Sequence, residues 1–366
     1  MGVGKKSEEK KTRSPEASYS RRRKITAGIL GFVFALIMSG GILAWKVSTD
    51  ISKAMDKVYQ QVDTVNMREI IAADEPVQEG EAEADRPETD KEKETETEKE
   101  EEKEVPASDP AVVPYLIQES RPMSILLIGT DTGEISREGE SGLSDTLIYC
   151  VLNPEKESVS LLSIPRDTYT EIIGYGIKTK INAAYAYGGA QMCINTVQNL
   201  LQLPVDAYAA VNLDGFPDII DAVGGVTVDN AFEFTHDDYY FAEGRITLNG
   251  EEALAYCRMR KQDPEGDFGR SRRQRQVITE VAKKAVSLSG AMNYQSILDV
   301  IADNIITNID LDSAIDMFSS YEACLNNVHN YDTLKGKGMN DHGWYYVLDE
   351  AELQRVTAEL KEELGI

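Results

Sequence analysis

The chain has 366 residues and a formal net charge of −25 at pH 7, with only 38 Lys and Arg against 63 Asp and Glu. That length allows a sizeable core, and that charge argues against nucleic acid as a partner, because a polyanion needs a basic surface. Four cysteines, Cys150, Cys193, Cys257 and Cys324, lack CxxC spacing and so argue against a zinc site and a dense disulfide framework. Buried free thiols are the simpler reading, with disulfides left open for a chain outside the cell.

In chain order, residues 1–24 form a polar, basic tail ending in Arg21-Arg22-Arg23-Lys24. Residues 25–45 follow without a single charge and close on Trp45, which matches the length and interfacial aromatic of a transmembrane helix. The basic flank places the N-terminus in the cytoplasm and the rest of the chain outside, as a single-pass protein of the cell membrane. A cleaved signal peptide would have a shorter apolar stretch and a small-residue cleavage site. Spaced apolar residues over 46–72 predict a juxtamembrane helix. Residues 73–114, which include the Glu- and Lys-rich run from Glu79 to Glu104, carry too little apolar surface to offset chain entropy and read as a disordered acidic linker.

The folded region begins near Arg121. Strands are predicted over Ser124–Ile128, Thr146–Leu152, Val159–Ile164, Val205–Val211 and Val226–Val228. Helices are predicted over Asn182–Leu201, Gly215–Val223, Gly250–Arg258 and Ser271–Ser287. The alternation indicates an α/β fold, an α-β-α sandwich around a central mixed sheet. Residues 120–290 form this domain, and 291–366 read as a helical C-terminal extension with a loop around Lys335–Gly343.

The densest chemical signal is YCRMRKQDPEGDFGRSRRQRQ, residues 256–276, which gathers Arg258, Arg260, Lys261, Arg270, Arg272, Arg273 and Arg275 in an acidic chain. Guanidinium groups bind phosphate bidentately and stay charged. Arg258 and Arg260 are two apart, and Arg270, Gln274 and Val277 share a helical face. Arg272, Arg273 and Arg275 read equally well as a solvated basic face. Asp131 follows the first strand and Asp145 precedes the second, and two carboxylates brought together suit a hard cation such as Mg²⁺; turn formation is their plainer use. Arg166 and Asp167 end a third strand, and Lys180 stands before a helix start, where an anion is favoured.

The segments LLIGTD, SDT, SIPRDT, KINAAYAYGG, VDAYAAVNLDGF, IIDAVGGV and LNGEEALAYCRMRKQDPEGDFGRSRRQRQV occur in that order between residues 122 and 290. In these motifs the chain resembles the LytR-CpsA-Psr family. The resemblance implies a Mg²⁺-assisted phosphotransferase that moves a glycopolymer from an undecaprenyl-pyrophosphate carrier to peptidoglycan. It implies Asp131 and Asp145 at metal and pyrophosphate, and Arg166, Lys180, Arg258, Arg260 and Arg270 on the pyrophosphate with Gln274 supporting them. The prenyl chain would lie in an apolar tunnel. One position departs: Leu143 stands where the family usually has Arg before Ser-Asp-Thr, which puts part of the phosphate or metal grip in question. The rival reading is a non-catalytic protein that only holds the lipid pyrophosphate or the glycopolymer.

Overall fold

The computed structural model describes residues 49–63, 65–74, 112–131, 142–287, 294–331 and 334–366. The expected basic tail, the apolar span 25–45 and all but the ends of the acidic linker lie outside the described residues. No helix among the described residues is long and apolar enough to cross a membrane. The chain divides into two compact units, Met1–Lys53 and Ala54–Ile366. Only residues 49–53 of the first are described, and they are helical.

The second unit starts with helical residues 54–58 (α1), then α2 (Met67–Asp74) and α3 (Val112–Gln118). Three strands follow, β1 (Met123–Thr130), β2 (Ser144–Asn153) and β3 (Ser158–Ser163). A hairpin of β4 (Tyr169–Ile172) and β5 (Ile177–Lys180) leads into helix α4 (Ala183–Leu201), strand β6 (Ala207–Asn212) and helix α5 (Phe216–Ala222). A side lobe contains β7 (Val226–Asn230), β8 (Phe234–His236), β9 (Tyr239–Phe241), β10 (Gly244–Leu248), α6 (Gly250–Arg258) and α7 (Asp267–Ser287). The chain closes through α8 (Tyr294–Asn304), β11 (Ile305–Thr307), α9 (Leu311–Tyr321), β12 (Val328–Asn330), β13 (Gly336–Asn340), β14 (Trp344–Leu348) and α10 (Glu350–Leu364).

The central sheet has the order β11-β6-β1-β2-β3-β12. It is mixed: β1 runs antiparallel to β2 and parallel to β6, while β12 runs parallel to β3. Strict alternation divides its side chains between two cores. Leu126, Ile128, Leu147, Tyr149, Val151 and Leu162 face α4 and α10, where Ile194, Val197, Val356 and Leu360 meet them. Met123, Ile125, Ile148, Cys150, Leu152 and Leu161 face the other way, onto Leu116 and Ile117 of α3 and Tyr321 of α9. The result is the expected sandwich of helices on both faces of a mixed sheet. Each fully buried Leu or Ile in these layers contributes about 1.5–3 kcal/mol.

Two expectations need correction. The predicted helix over 46–72 is broken: an extended stretch separates α1 from α2, with the Gln60 N–H donating to the Thr307 carbonyl (2.7 Å) and the Tyr208 hydroxyl to the Gln60 carbonyl (2.9 Å). Val58 and Val62 are buried there, and Arg68 forms a bidentate pair with buried Asp206. Contact with the sheet thus overrides the helical spacing. The stretch 291–366 is not a helical add-on either. It supplies both edge strands of the sheet, β11 and β12, and the β13–β14 hairpin, so the sheet extends past the expected 120–290 boundary. Three-residue strands are too short to show a period of two, and the Gly-rich Lys335–Gly343 stretch lacks one altogether.

All four cysteines are buried and free. Burial pushes the thiols of Cys150, Cys193 and Cys257 up to about 12.

Candidate functional site

The site is built where β1 and β6 end side by side and β2 begins. The β1–β2 ladder pairs Gly129 with Thr146 and Thr130 with Ser144, so Asp145 is the extra residue of a bulge. A bulge turns its residue out of the regular alternation, a common device beside active sites. Asp131 lies one residue past β1 and accepts the Leu143 N–H on Oδ1 at 2.7 Å. The departure at Leu143 therefore leaves Asp131 held by backbone, while the Leu143 side chain is 40% exposed.

Both carboxylates line a cavity of about 490 Å³. Its walls are mostly apolar: Leu127 from β1, Ala209 and Val211 from β6, Phe216 and Ile219 from α5, and Leu254 from α6. One face of α7 completes it through Arg270, Gln274, Ile278 and Val281, which follow helical spacing. Val277 belongs to a different face, fully buried in the side-lobe core, and leaves the expected trio. Among the residues expected from sequence, Asp131, Asp145, Arg166, Arg258, Arg270 and Gln274 line the cavity. Lys180 and Arg260 do not.

Those two reach the site through carboxylates. Lys180 Nζ is 2.6 Å from Asp167 Oδ1, and Asp167 Oδ2 is 3.9 Å from Arg166 Nε. Arg166 in turn holds Asp145 at 2.7 Å. On the other side Asp267 Oδ1 is 2.9 Å from Arg270 and 3.7 Å from Arg260. Burial pulls the Arg166 guanidinium down, but Asp145, Asp167 and Asp267 together raise it above its ordinary value. Arg270 goes the other way: burial lowers it, with Arg166 and Arg260 adding to the effect and Asp267 and Asp145 opposing it. Its buried Nε has no hydrogen-bond acceptor among the described residues, and neither does the buried Asp267 Oδ1 have a donor aligned with it. A buried guanidinium nitrogen left without an acceptor is costly unless an anion completes it.

The arginine run is otherwise divided by role. Arg273 and Arg275, expected equally on a solvated face, are buried. The Arg273 Nε donates to the Tyr256 carbonyl at 3.0 Å, and its other nitrogens hold the Met259 carbonyl and the Asp263 carboxylate. Gly269 is required here, since a Cβ on it would fall 1.9 Å from Asp263 Oδ2. This buried pair fixes the end of α6 to the loop before α7 and so positions Arg258 and Arg270. At the other end of α6, Asn249 and Glu252 form a capping box. Arg275 donates to Ser163 Oγ at 2.7 Å and to Asn330 Oδ1 at 3.1 Å, joining α7 to β3 and β12. Only Arg272 fits the solvated reading, half exposed and paired with Glu265. Sequence reading missed Asp267 as the link between two arginines; its place at the first position of α7 was the available signal.

Among the described residues no three His, Cys, Asp or Glu side chains gather as a metal cluster. The donor chemistry at Asp131 and Asp145 nevertheless suits Mg²⁺, which takes one or two carboxylates and completes its shell with water and substrate phosphate.

Known proteins are similar to this chain in sequence and in fold. The LytR_cpsA_psr family model matches residues 82–362. A Bacillus licheniformis protein named polyisoprenyl-teichoic acid–peptidoglycan teichoic acid transferase TagU is 47% identical over 250 residues, covering 68% of this chain and 80% of that protein. The crystal structure of Bacillus subtilis TagU is 43% identical, with TM-score 0.56, over 67% of this chain and 97% of that one. A structure described as TagT bound to LIIa-WTA is 30% identical, with TM-score 0.57, over 72% of this chain and 96% of that one. With a family model spanning most of its length and its site motifs, the chain belongs to the LytR-CpsA-Psr family.

Proposed function

We propose that this protein is a phosphotransferase that moves an anionic glycopolymer from a polyprenyl-pyrophosphate carrier to peptidoglycan. The observation that carries the reading is Arg270: a half-buried guanidinium, paired with Asp267, whose buried Nε has no partner among the described residues, on the wall of a mostly apolar cavity. An apolar cavity joined to cations calls for a ligand that is lipid at one end and a phosphate anion at the other. The names of the TagU relatives support the polymer and the acceptor.

In this reading the apolar walls take the prenyl chain, and Arg166, Arg258 and Arg270 hold the pyrophosphate. Lys180 and Arg260 act from one carboxylate further out. A hydroxyl of the acceptor glycan attacks the sugar-linked phosphorus. The new O–P bond forms as the bond to the bridging oxygen breaks, and prenyl monophosphate leaves. The hydroxyl proton passes to a carboxylate, with Asp131 and Asp167 the candidates. The guanidinium groups offset the charge that gathers on the phosphoryl oxygens and leaving phosphate, the main need of such a step. Asp131 and Asp145 would hold Mg²⁺, which when bound supplies further charge neutralisation at phosphate.

Full-length protein in detergent, given a prenyl-pyrophosphoryl glycan, peptidoglycan oligomers and Mg²⁺, is expected to form glycan-bearing peptidoglycan, and the Arg258→Ala/Arg260→Ala variant is not. Unchanged transfer by that variant would sink the assignment. Tight carrier binding without turnover would favour the rival holding role. We place the anchor over residues 25–45 and the catalytic unit outside the cell, since both lipid carrier and wall acceptor are reached there.

A further inference from the structure

Beside the charged cluster stands a group of aromatic rings that the reaction outlined above does not use. Phe268 follows Asp267 directly, and its ring meets Tyr346 of β14 at 6.2 Å, edge to face. Tyr346 meets Trp344 at a further 6.3 Å. Phe268 is 39% and Trp344 45% exposed, whereas aromatic side chains of this size are usually well covered. The row is held in place at its middle ring: the Tyr346 N–H donates to the Asp167 carbonyl at 2.8 Å, next to the Asp167 carboxylate that pairs with Lys180. At its outer end Trp344 lies over Gly338 on the neighbouring strand, where a Cβ would come within 3.0 Å of the indole Nε1. The hairpin thus presents a Trp ring braced against its own backbone.

We propose that Tyr346 and Trp344, braced edge-on by Phe268, form a stacking platform for the neutral sugar rings of the acceptor glycan. The proposal rests on the transferase reading and adds to it the place where the acceptor lies. Aromatic faces carry negative charge density and attract the polarised C–H groups of a pyranose face. Tyr346 and Trp344 lie 6.3 Å apart with their planes 30° from parallel and can offer faces to neighbouring sugars, while Phe268 stands at 71° to Tyr346 and supports it. Beside the rings stand the Asp167 and Asp267 carboxylates, paired with Lys180 and Arg270, whose remaining lone pairs accept hydrogen bonds from sugar hydroxyls, which suits a hydroxyl-rich glycan. A glycan on this row brings its hydroxyl toward Arg166 and Arg270, where the phosphorus is held.

The sequence has two tryptophans, Trp45 and Trp344, so full-length protein carrying Trp45→Phe reports on the platform through Trp344 fluorescence alone. Titration with lipid-free peptidoglycan oligosaccharides is expected to shift that emission saturably. In the transfer assay Trp344→Leu is expected to raise KM for the acceptor by roughly three- to tenfold with kcat and the donor KM unchanged. Trp344→Phe, which keeps a ring, is expected to retain most of the acceptor affinity, and the release of prenyl phosphate shows that each variant is folded. An emission change with oligosaccharide in a protein that transfers nothing would uphold the platform and remove the transferase reading. Normal transfer with no emission change and an unaltered acceptor KM in Trp344→Leu would overturn the platform alone. A shift of the donor KM instead of the acceptor KM would assign the row to the donor sugars and overturn the proposal as well.

Discussion

Asp145 reaches Arg166 because a bulge in β2 frees it from the ladder, leaving its carboxylate 2.7 Å from the guanidinium. Both side chains are partly exposed, at 29% and 25%, so the pair adds little to stability, about 1 kcal/mol at most. Its value is in placing a carboxylate and a cation on one cavity wall. Asp145→Asn and Arg166→Met are expected to leave the melting temperature within a few degrees of the parent and to lower transfer at least about 100-fold. Loss of folding in either variant, or near-normal transfer, would contradict this division.

Arg270 gives a binding result that needs no turnover. Inorganic pyrophosphate should fill the place opposite its unmatched Nε and raise the unfolding temperature. At 100 times Kd the gain is about 2.7 kcal/mol. Arg270→Ala should lose most of that gain, while Arg272→Ala, half exposed and paired with Glu265, should keep it.

Within the same helix Arg273 is expected to matter for folding rather than chemistry. Arg273→Ala strands the Asp263 carboxylate, whose side chain is wholly buried, and should cost about 3–5 kcal/mol in chemical denaturation. Arg272→Ala should cost under about 1 kcal/mol. Equal losses would mean that the buried pair is not what fixes the loop before α7.

The apolar wall can be tested by filling it. Ala209→Leu places bulk from β6 into the cavity. It should raise KM for long-chain prenyl donors several-fold while leaving the thermal shift by inorganic pyrophosphate intact. An equal effect on donors of every chain length would place the prenyl group elsewhere.

The buried thiols set an alkaline limit. The pKa values of Cys150, Cys193 and Cys257 are raised by burial from 9.0 to about 12 in the folded chain. Their neutral forms are favoured by folding, so the contribution is complete below pH 9 and is lost as pH rises from 9 towards 12. Stability should fall there by about 1.4 kcal/mol per thiol per pH unit. Urea titrations of the parent and of a Cys150→Ala/Cys193→Ala/Cys257→Ala variant should show a shallower alkaline slope in the variant.

Much of the sheet was legible because its central strands are long and apolar. Ser124–Ile128 and Thr146–Leu152 fall inside β1 and β2, and Gly250–Arg258 coincides with α6, whose Asn249 cap is itself a sequence signal. The bulge at Asp145 was not legible, since it depends on register between two strands. The edge strands β11 and β12 were lost because three residues carry no period. In the site, Arg166, Arg258 and Arg270 line the cavity, whereas Arg273 and Arg275 are buried away from it. Composition shows that arginines are clustered; only packing decides which of them are buried under tertiary partners.

The most direct measurement is the identity of the lipid released when the full-length protein meets a prenyl-pyrophosphoryl glycan and peptidoglycan oligomers. Attack at the sugar-linked phosphorus releases prenyl monophosphate and leaves the glycan on the wall through a phosphodiester, and that product should vanish in Arg270→Ala. Release of prenyl pyrophosphate, which requires attack at the sugar carbon, or no release at all, would contradict the account.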